Sequence, residues 1–149
     1  MSVQLPPNST GSVIDTFTTV GSKERQVTVP PVGGQFAIYH NPAAATQATI
    51  SQAAGAAGVK NVATMISFSI YTGATPQTII TVGLRDGATG AGTVLWSKSI
   101  ALPANSYWSE NVALPHIQGS AATAMTAEFS AGGVASSVES VCLMGYTTA

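Results

Sequence analysis

The chain has 149 residues, the size of one ordinary domain and enough to bury a hydrophobic core without disulfides or metal ions. Charged residues make up 7% of it and the formal net charge is −1, which argues against a basic surface that neutralises the phosphates of nucleic acid. The single cysteine, Cys142, excludes an internal disulfide framework.

Residues 1 to 32 are predicted to form an extended N-terminal arm rather than a targeting signal. The opening MSVQLPPNST has neither a basic start nor an apolar run, and no later stretch has the length of a membrane span. We therefore expect synthesis in the cytoplasm and no membrane partner. Pro-Pro pairs at 6–7 and 30–31 favour an extended backbone that cannot join the middle of a sheet. The polar stretches between them allow a hairpin that turns near Gly21 and Ser22, and we expect the arm to dock on its own domain or on a neighbouring subunit.

Residues 33 to 149 are predicted to form one β-sandwich domain, because their hydrophobic pattern mostly has a period of two. Residues 46 to 52 favour a strand over a short helix, since Gly55 and Gly58 weaken the helix that the neighbouring alanines would support. Lys98 shares a face with apolar neighbours and is expected at an edge or rim, where its ammonium reaches water. The alternation predicts these inward-facing groups: Ile66, Phe68 and Ile70; Ile80, Val82 and Leu84; Val94, Trp96, Ile100 and Leu102; Trp108, Val112 and Leu114; Met125, Ala127 and Phe129.

The last apolar segment, VESVCLMGY, has apolar side chains on both faces. Val141 and Leu143 lie on one face, and Cys142, Met144 and Tyr146 lie on the other. A strand of this kind is either central in a sheet or at a subunit contact.

Turn sequences separate the predicted strands at regular intervals. They are YTGATPQ, RDGATGAG, LPANS, LPHIQGSAA and SAGGVASS. Short strands with this spacing indicate an antiparallel sandwich or barrel. The predicted fold class is all-β, an antiparallel β-sandwich with a jelly-roll as the expected form and an extended N-terminal arm.

The stretch GLRDGATGAGTVLWSKSIAL, residues 83 to 102, has enough glycine to suggest a phosphate-binding loop. Such a loop needs a helix after its glycines, with Lys and Ser or Thr at fixed positions. Gly90 and Gly92 lead instead into a strand pattern, so a hairpin is favoured, with Gly87 at positive φ. Arg85 and Asp86 are then expected to form a local ion pair or a turn cap.

The pattern of the remaining polar residues indicates no catalytic site, no cofactor site and no metal site. His40 and His116 lie far apart in the sequence, and neither belongs to a spacing that supplies three metal ligands. Ser120 lacks the flanking glycines of a nucleophile elbow, and Cys142 is expected to be a small buried hydrophobe. Nothing in the sequence singles out a pair for glycoside cleavage among the six carboxylates: Asp15, Glu24, Asp86, Glu110, Glu128 and Glu139.

Aromatic residues leave one binding function open. Trp96 lies among inward-facing residues and is predicted to be core. Tyr107 and Trp108 point to opposite faces of a regular strand, so one of them is expected to be exposed. An exposed aromatic on a sandwich face can stack on a sugar, which keeps a carbohydrate-binding module among the alternatives.

The low charged fraction, against about 25% in ordinary soluble domains, has two explanations. A neutral surface of hydroxyls and amides could suffice for solubility, or other subunits could cover much of the surface. We favour the second explanation, because interface cores are depleted of charged residues.

Four stretches that together cover nearly the whole chain resemble a family of small virion proteins from tailed bacteriophages. They are LPPNSTGSVIDTFTTVGSKERQVTV, AAGAAGVKNVATMISFSI, VGLRDGATGAGTVLWSKSIALP and GSAATAMTAEFSAGGVASSVESVCLMGY, in that order. The resemblance implies a jelly-roll or related sandwich that decorates or cements the capsid exterior, commonly as a trimer and without catalytic residues.

On this basis we expect a bacteriophage capsid decoration or cement protein that is not an enzyme. The expected partners are the major capsid protein and the chain itself, as a homotrimer on the outside of the head, with no nucleic acid or membrane partner. Two alternatives stay open: a structural component of a phage tail or fibre, and a carbohydrate-binding module that recognises the host.

Overall fold

A computed structural model describes residues 16–18, 24–26 and 34–148 of the chain. These residues form ten β-strands and no helix. The strands are β1 (Thr16–Thr18), β2 (Glu24–Gln26), β3 (Gln35–His40), β4 (Thr49–Gln52), β5 (Lys60–Tyr71), β6 (Gln77–Asp86), β7 (Thr93–Leu102), β8 (Tyr107–Ala121), β9 (Met125–Phe129) and β10 (Val138–Thr148).

The chain divides into two compact units, Met1–Val32 and Gly33–Ala149. In the first unit β1 pairs with β2 in antiparallel register, with Phe17 opposite Arg25. This pairing agrees with the predicted hairpin, but its turn near Gly21 and Ser22 lies outside the described residues. The rest of the predicted arm lies outside them as well.

The second unit is a jelly-roll sandwich. Its strands form a first sheet in the order β3-β10-β5-β8 and a second sheet in the order β4-β9-β6-β7, with every pair antiparallel. The strands can be traced as one long two-stranded ribbon that folds back at the β6–β7 hairpin. Its pairs are β3 with β10, β4 with β9, β5 with β8, and β6 with β7. The ribbon rolls up because β10 also pairs with β5, and β9 with β6. This connectivity is the jelly-roll form of the β-sandwich, so the predicted all-β sandwich is confirmed for residues 34 to 148.

The core between the two sheets confirms most of the predicted inward faces. The predicted residues of β5, β6 and β9 are all buried: Ile66, Phe68, Ile70, Ile80, Val82, Leu84, Met125, Ala127 and Phe129. The rings of Phe68 and Phe129 meet edge to face at 87° with centroids 6.3 Å apart, a geometry worth about 1 kcal/mol beyond the buried area. Trp96 packs on this cluster and is half-buried, with its ring 6.3 Å from Phe68.

The segment VESVCLMGY, with apolar side chains on both faces, was predicted to be either a central strand or a subunit contact, and it is a central strand. β10 lies between β3 and β5 in the first sheet. Val141 and Leu143 are buried in the core, while Cys142, Met144 and Tyr146 on the other face are half-buried.

Two predicted inward residues of β7 and β8 are exposed instead. Val94 is 48% exposed, because a register shift between Leu84 and Arg85 falls just before the position that pairs with it. Trp108 is 41% exposed, since it lies near the start of β8, an edge strand of the first sheet. Further along the same strand Leu114 is buried as predicted.

The sequence LPHIQGSAA was predicted as a turn, but all of it except its last residue belongs to β8, which runs unbroken from Tyr107 to Ala121. Ala63 of β5 pairs with Ile117 and Met65 pairs with Ala113, so three residues of β8 lie opposite Thr64 alone. Such a bulge keeps the strand in its sheet while accommodating extra residues. The proline within the bulge is tolerated because β8 is an edge strand, where a missing amide breaks few ladder hydrogen bonds.

We expect Gly92→Ala to destabilise the sandwich more than Gly90→Ala, although both glycines have positive φ, +80° and +69°. A Cβ at position 92 would overlap the backbone oxygen of Asp86, whereas one at position 90 would meet no atom within 4 Å. Gly90→Ala should cost about 1 kcal/mol of unfolding free energy for the left-handed backbone. Gly92→Ala should cost about 3 kcal/mol, because the backbone must also move. Urea unfolding measures both losses, and equal losses would contradict the overlap.

Candidate interaction surfaces

The glycines at 87, 90 and 92 lie in the loop of the β6–β7 hairpin, as predicted, and two of their amides bind acceptors of the protein itself. Asp86 pairs with Thr93 at the base of the loop. The Gly87 amide donates to the Ala124 carbonyl at 2.8 Å, and the Gly90 amide donates to the Glu128 carboxylate at 3.0 Å. These two amides are therefore committed to the protein's own acceptors rather than to a phosphate.

Arg85 and Asp86 bind partners on other strands, so the predicted local ion pair is wrong. Arg85 Nε donates to Glu128 Oε1 on β9 at 2.5 Å. The Asp86 carboxylate accepts from the amide of Ser120 at 2.9 Å and from its hydroxyl at 2.6 Å. Arg85 and Asp86 do not pair with each other because consecutive side chains of a strand point to opposite faces of the sheet.

The histidines and the cysteine do not converge on a site. His40 and His116 lie on β3 and β8, the two opposite edges of the first sheet. His40 Nδ1 accepts the Thr49 amide at 3.1 Å, and burial raises the pKa of the half-buried Cys142 thiol. Among residues 16–18, 24–26 and 34–148, no three His, Cys, Asp or Glu side chains lie together as metal ligands.

Glu110 and Lys98 form an ion pair at the rim between the two sheets. Lys98 therefore lies at an edge, as its sequence context predicted. Lys98 Nζ lies 2.5 Å from Glu110 Oε2 and 5.6 Å from the centre of the Trp108 ring. Trp108 Nε1 donates to the same carboxylate at 3.3 Å. The hydrogen bond from Lys98 lowers the pKa of Glu110, and the one from Trp108 adds to this effect. Lys98 and Glu110 thus fix Trp108 and limit the ring surface that is open to a sugar.

Glu139 is a carboxylic acid buried under the loops at one end of the sandwich, 1% exposed. Its Oε2 accepts the Ala48 amide at 2.9 Å, while its Oε1 has no hydrogen-bond partner in the described residues. The buried hydroxyl of Ser137 also lacks a partner there. Burial raises the pKa of Glu139 to about 7, although the hydrogen bond from the Ala48 amide and the nearby Gly133 amide oppose the rise. A raised pKa is typical of a general acid, but burial separates this carboxyl from any substrate.

The outer side of the first sheet carries a surface that we call the tyrosine face. Its members form three rows across the strands: Val138, Tyr71 and Tyr107; Ser140, Ser69 and Ser109; and Tyr39, Cys142, Ser67 and Asn111. None of these ten residues is charged. The Ser69 and Ser140 hydroxyls are 2.7 Å apart and hydrogen-bonded, which confirms that the two side chains share a face.

The tyrosine face exposes four large hydrophobic side chains. Tyr39 is 76% exposed, Tyr107 is 64% exposed, and Tyr71 and Val138 are 42% and 39% exposed. Tyr71 and Tyr107 lie directly opposite each other on β5 and β8. The sequence pattern placed one of Tyr107 and Trp108 at the surface but missed this clustering, because it depends on which strands become neighbours.

Charged side chains of the second unit are largely engaged within the protein. The unit holds seven Asp, Glu, Lys and Arg residues, and four of them form the Arg85–Glu128 and Lys98–Glu110 ion pairs. Asp86 binds Ser120, and Glu139 is buried. Few charges therefore remain to keep the surface hydrated.

Comparisons with known proteins leave the family of the chain open. No protein-family model matches it, and no curated protein matches it. Among solved structures it is similar to a chain from Bacillus endospore appendages, described as a novel family of disulfide-linked pili, with 13% identity and a TM-score of 0.29. The match covers 84% of this chain and 100% of that one, and at this TM-score it carries no inference about function. In the part of the chain that the structure describes, no helix is long and apolar enough to span a membrane.

We expect Glu139→Gln to remove a pH dependence of stability between pH 4.5 and 8. The native pKa of about 7 exceeds the ordinary value of 4.5, so the folded state binds the proton more tightly than the unfolded state. The stabilisation is complete below pH 4.5 and is lost as the pH rises through 7, by about 3 kcal/mol in total. The neutral glutamine should therefore be more stable than the wild type at pH 8.

Urea unfolding at several pH values measures this effect, with Glu110→Gln as the control variant. Because the pKa of Glu110 is lowered rather than raised, its replacement should leave the slope between pH 5 and 8 intact. A wild-type stability that stays constant over this range would contradict the assignment to Glu139.

Proposed function

We propose that the chain is a non-enzymatic structural protein of a tailed-bacteriophage virion. It acts as a decoration or cement protein that binds the outside of the head and stabilises contacts between major capsid protein subunits. The observation that carries this proposal is the tyrosine face, an uncharged surface four strands wide with three exposed tyrosines. Interface cores share two of these features, because they are enriched in Tyr and depleted of Lys, Glu and Asp.

A protein that stays alone in solution usually carries interspersed surface charges. This sandwich places most of its few charges in ion pairs and buried contacts. Burial of the tyrosine face against protein would remove its exposed aromatic surface from water, with a gain of about 25 cal/mol for each Å² of apolar area. The small number of free surface charges supports a protein that is bound to other subunits.

The proposed mechanism adds contact area where shell subunits meet, so that shell expansion or internal pressure must break the added contacts as well. Extended segments suit this task, because hydrogen bonds at a sheet edge give affinity without a large globular footprint. We assign this role to residues 1 to 32. We also propose that the protein associates with itself as a homotrimer on the head surface.

A tail or fibre component is the second candidate within the same class, since the tyrosine face would serve subunit contacts there equally well. The position of a labelled copy in intact particles distinguishes the two. Labelling across the whole head supports decoration, and labelling confined to the tail supports the second candidate.

We expect the double variant Tyr71→Ser/Tyr107→Ser to bind capsid shells of the encoding phage at least tenfold more weakly than the wild type. Loss of two aromatic anchors typically costs more than about 1.4 kcal/mol of binding free energy. Ile79→Ser is the matched control, because Ile79 is 71% exposed on the second sheet. Cosedimentation with shells measures the affinities, and equal binding by the double variant and the control would contradict the role of the tyrosine face.

Deletion of residues 1 to 30 should leave a folded sandwich that no longer binds shells. The two sheets of the sandwich form entirely from strands between Gln35 and Thr148, which is why folding should survive. Circular dichroism checks the fold and the same cosedimentation assay checks binding. Undiminished binding by the shortened chain would show that residues 1 to 30 make no contact with the shell.

A further inference from the structure

A groove of about 510 Å³ opens at one end of the first sheet. All four strands of the sheet contribute to it, and the lining residues that matter here are Gln35, Phe36, Thr64, His116, Met144 and Tyr146. On β10, Met144 of the groove lies two residues from Cys142 of the tyrosine face, and Tyr146 lies six positions from Ser140, a span of about 20 Å along a strand. The groove therefore borders the row that holds Tyr39 and lies well away from the row of Tyr71 and Tyr107.

Two irregularities of the sheet meet at Thr64 and open the groove. On one side β10 shifts register, since Met144 pairs with Met65 and Gly145 pairs with Ala63. On the other side the bulge of β8 also lies opposite Thr64. A Cβ at Gly145 would overlap the carbonyl oxygen of Val62, so the close approach of the strands requires glycine at that position. Bulges of this kind commonly redirect side chains next to functional sites.

His116 has an unusual backbone conformation at the edge of the groove. Its φ is +51°, a left-handed value that costs a non-glycine residue free energy and that clusters at functional sites. Its Nδ1 lies 3.2 Å from the Tyr146 hydroxyl, and the two rings meet at 63° with centroids 5.9 Å apart. The imidazole and the phenol thus form one polar edge.

The chemistry of the lining selects a neutral ligand. Among the residues that the structure describes, no Asp, Glu, Lys or Arg lines the groove, so an ionic group would find no counter-charge among them. The Gln35 amide, the His116 imidazole and the Tyr146 hydroxyl can each donate and accept hydrogen bonds. Phe36 and Met144 add apolar surface beside them. A lining of this kind matches a sugar, whose hydroxyls need both donors and acceptors and whose C–H faces pack on apolar groups.

We propose that this groove binds a neutral saccharide, one or two sugar units of a glycan. Its volume lies within the range of about 300 to 1,000 Å³ found for small-molecule sites. A purely apolar occupant, such as an apolar protein side chain, fits less well, because it would offer no partner to the Gln35 amide or to the hydrogen-bonding capacity that the His116–Tyr146 contact leaves open. This inference does not depend on the capsid role, since a decoration protein could bind a glycan from the outside of the particle.

The test uses the full-length protein on an array of neutral oligosaccharides built from glucose, galactose, mannose, rhamnose and N-acetylglucosamine. Sialylated and sulfated oligosaccharides on the same array serve as charged comparisons. A neutral hit is then titrated with the wild type and with Gln35→Ala/Tyr146→Phe, which removes two hydrogen-bonding groups and keeps the Tyr146 ring. We expect the double variant to bind at least tenfold more weakly.

Trp108→Ala and Tyr71→Ser/Tyr107→Ser are the controls, because their residues lie at the rim and on the tyrosine face. Both should keep the affinity for the neutral glycan within twofold of the wild type. No binding to any neutral glycan, binding to charged glycans alone, or a loss of binding confined to Trp108→Ala would each overturn the proposal. A defect of Gln35→Ala/Tyr146→Phe in shell binding without a glycan hit would instead assign the groove to a protein partner. Because shell binding is measured separately, the capsid role and the glycan site can fail independently.

Discussion

The pairing of β10 with β5 is the contact on which the rest of the structure depends. It joins two strands from different parts of the folded ribbon, residues 138–148 and 60–71, and it makes β10 the central strand beside β3. Val141 and Leu143 are buried against the core by this pairing. The same register aligns the serine and tyrosine rows on the outer side and sets the shift at Gly145 that opens the groove. Contacts between segments so distant in sequence have a high closure entropy, so this step is expected to form late in folding.

Two ion pairs hold four of the seven charged side chains of the sandwich. Arg85 and Glu128 neutralise each other beside the hairpin loop, and Lys98 and Glu110 do so at the rim. The first sheet therefore presents hydroxyls, amides, a thiol and phenols to its surroundings. A surface of this kind offers little long-range steering of a partner, so its contacts would be selected at short range by shape and by hydrogen bonding.

The sequence predicted the fold more fully than it predicted the surfaces. Strict alternation in β5, β6 and β9 identified their buried faces, because one side of each strand meets the core. The course of β8 was missed, since its proline and glycine are typical of a turn and only the edge position of the strand explains why they are tolerated. The ion-pair partner of Arg85 was missed for a similar reason. Arg85 pairs with Glu128 rather than with Asp86, and a partner on a neighbouring strand depends on the register between distant segments. The groove and the tyrosine face arise from the same long-range register, which a single sequence does not show.

The pairing of β3 with β10 brings residues 34 and 148 to the same corner of the sandwich, where the Thr147 amide donates to the Gly34 carbonyl at 3.2 Å. Neighbouring ends of this kind make a domain suitable for circular permutation. In the second unit alone, a short linker across this corner and new ends in the β6–β7 loop would preserve every strand pair of the two sheets while moving the ends to the other end of the ribbon. The topology thus permits cargo to be attached at either end of the ribbon without changing the sheets.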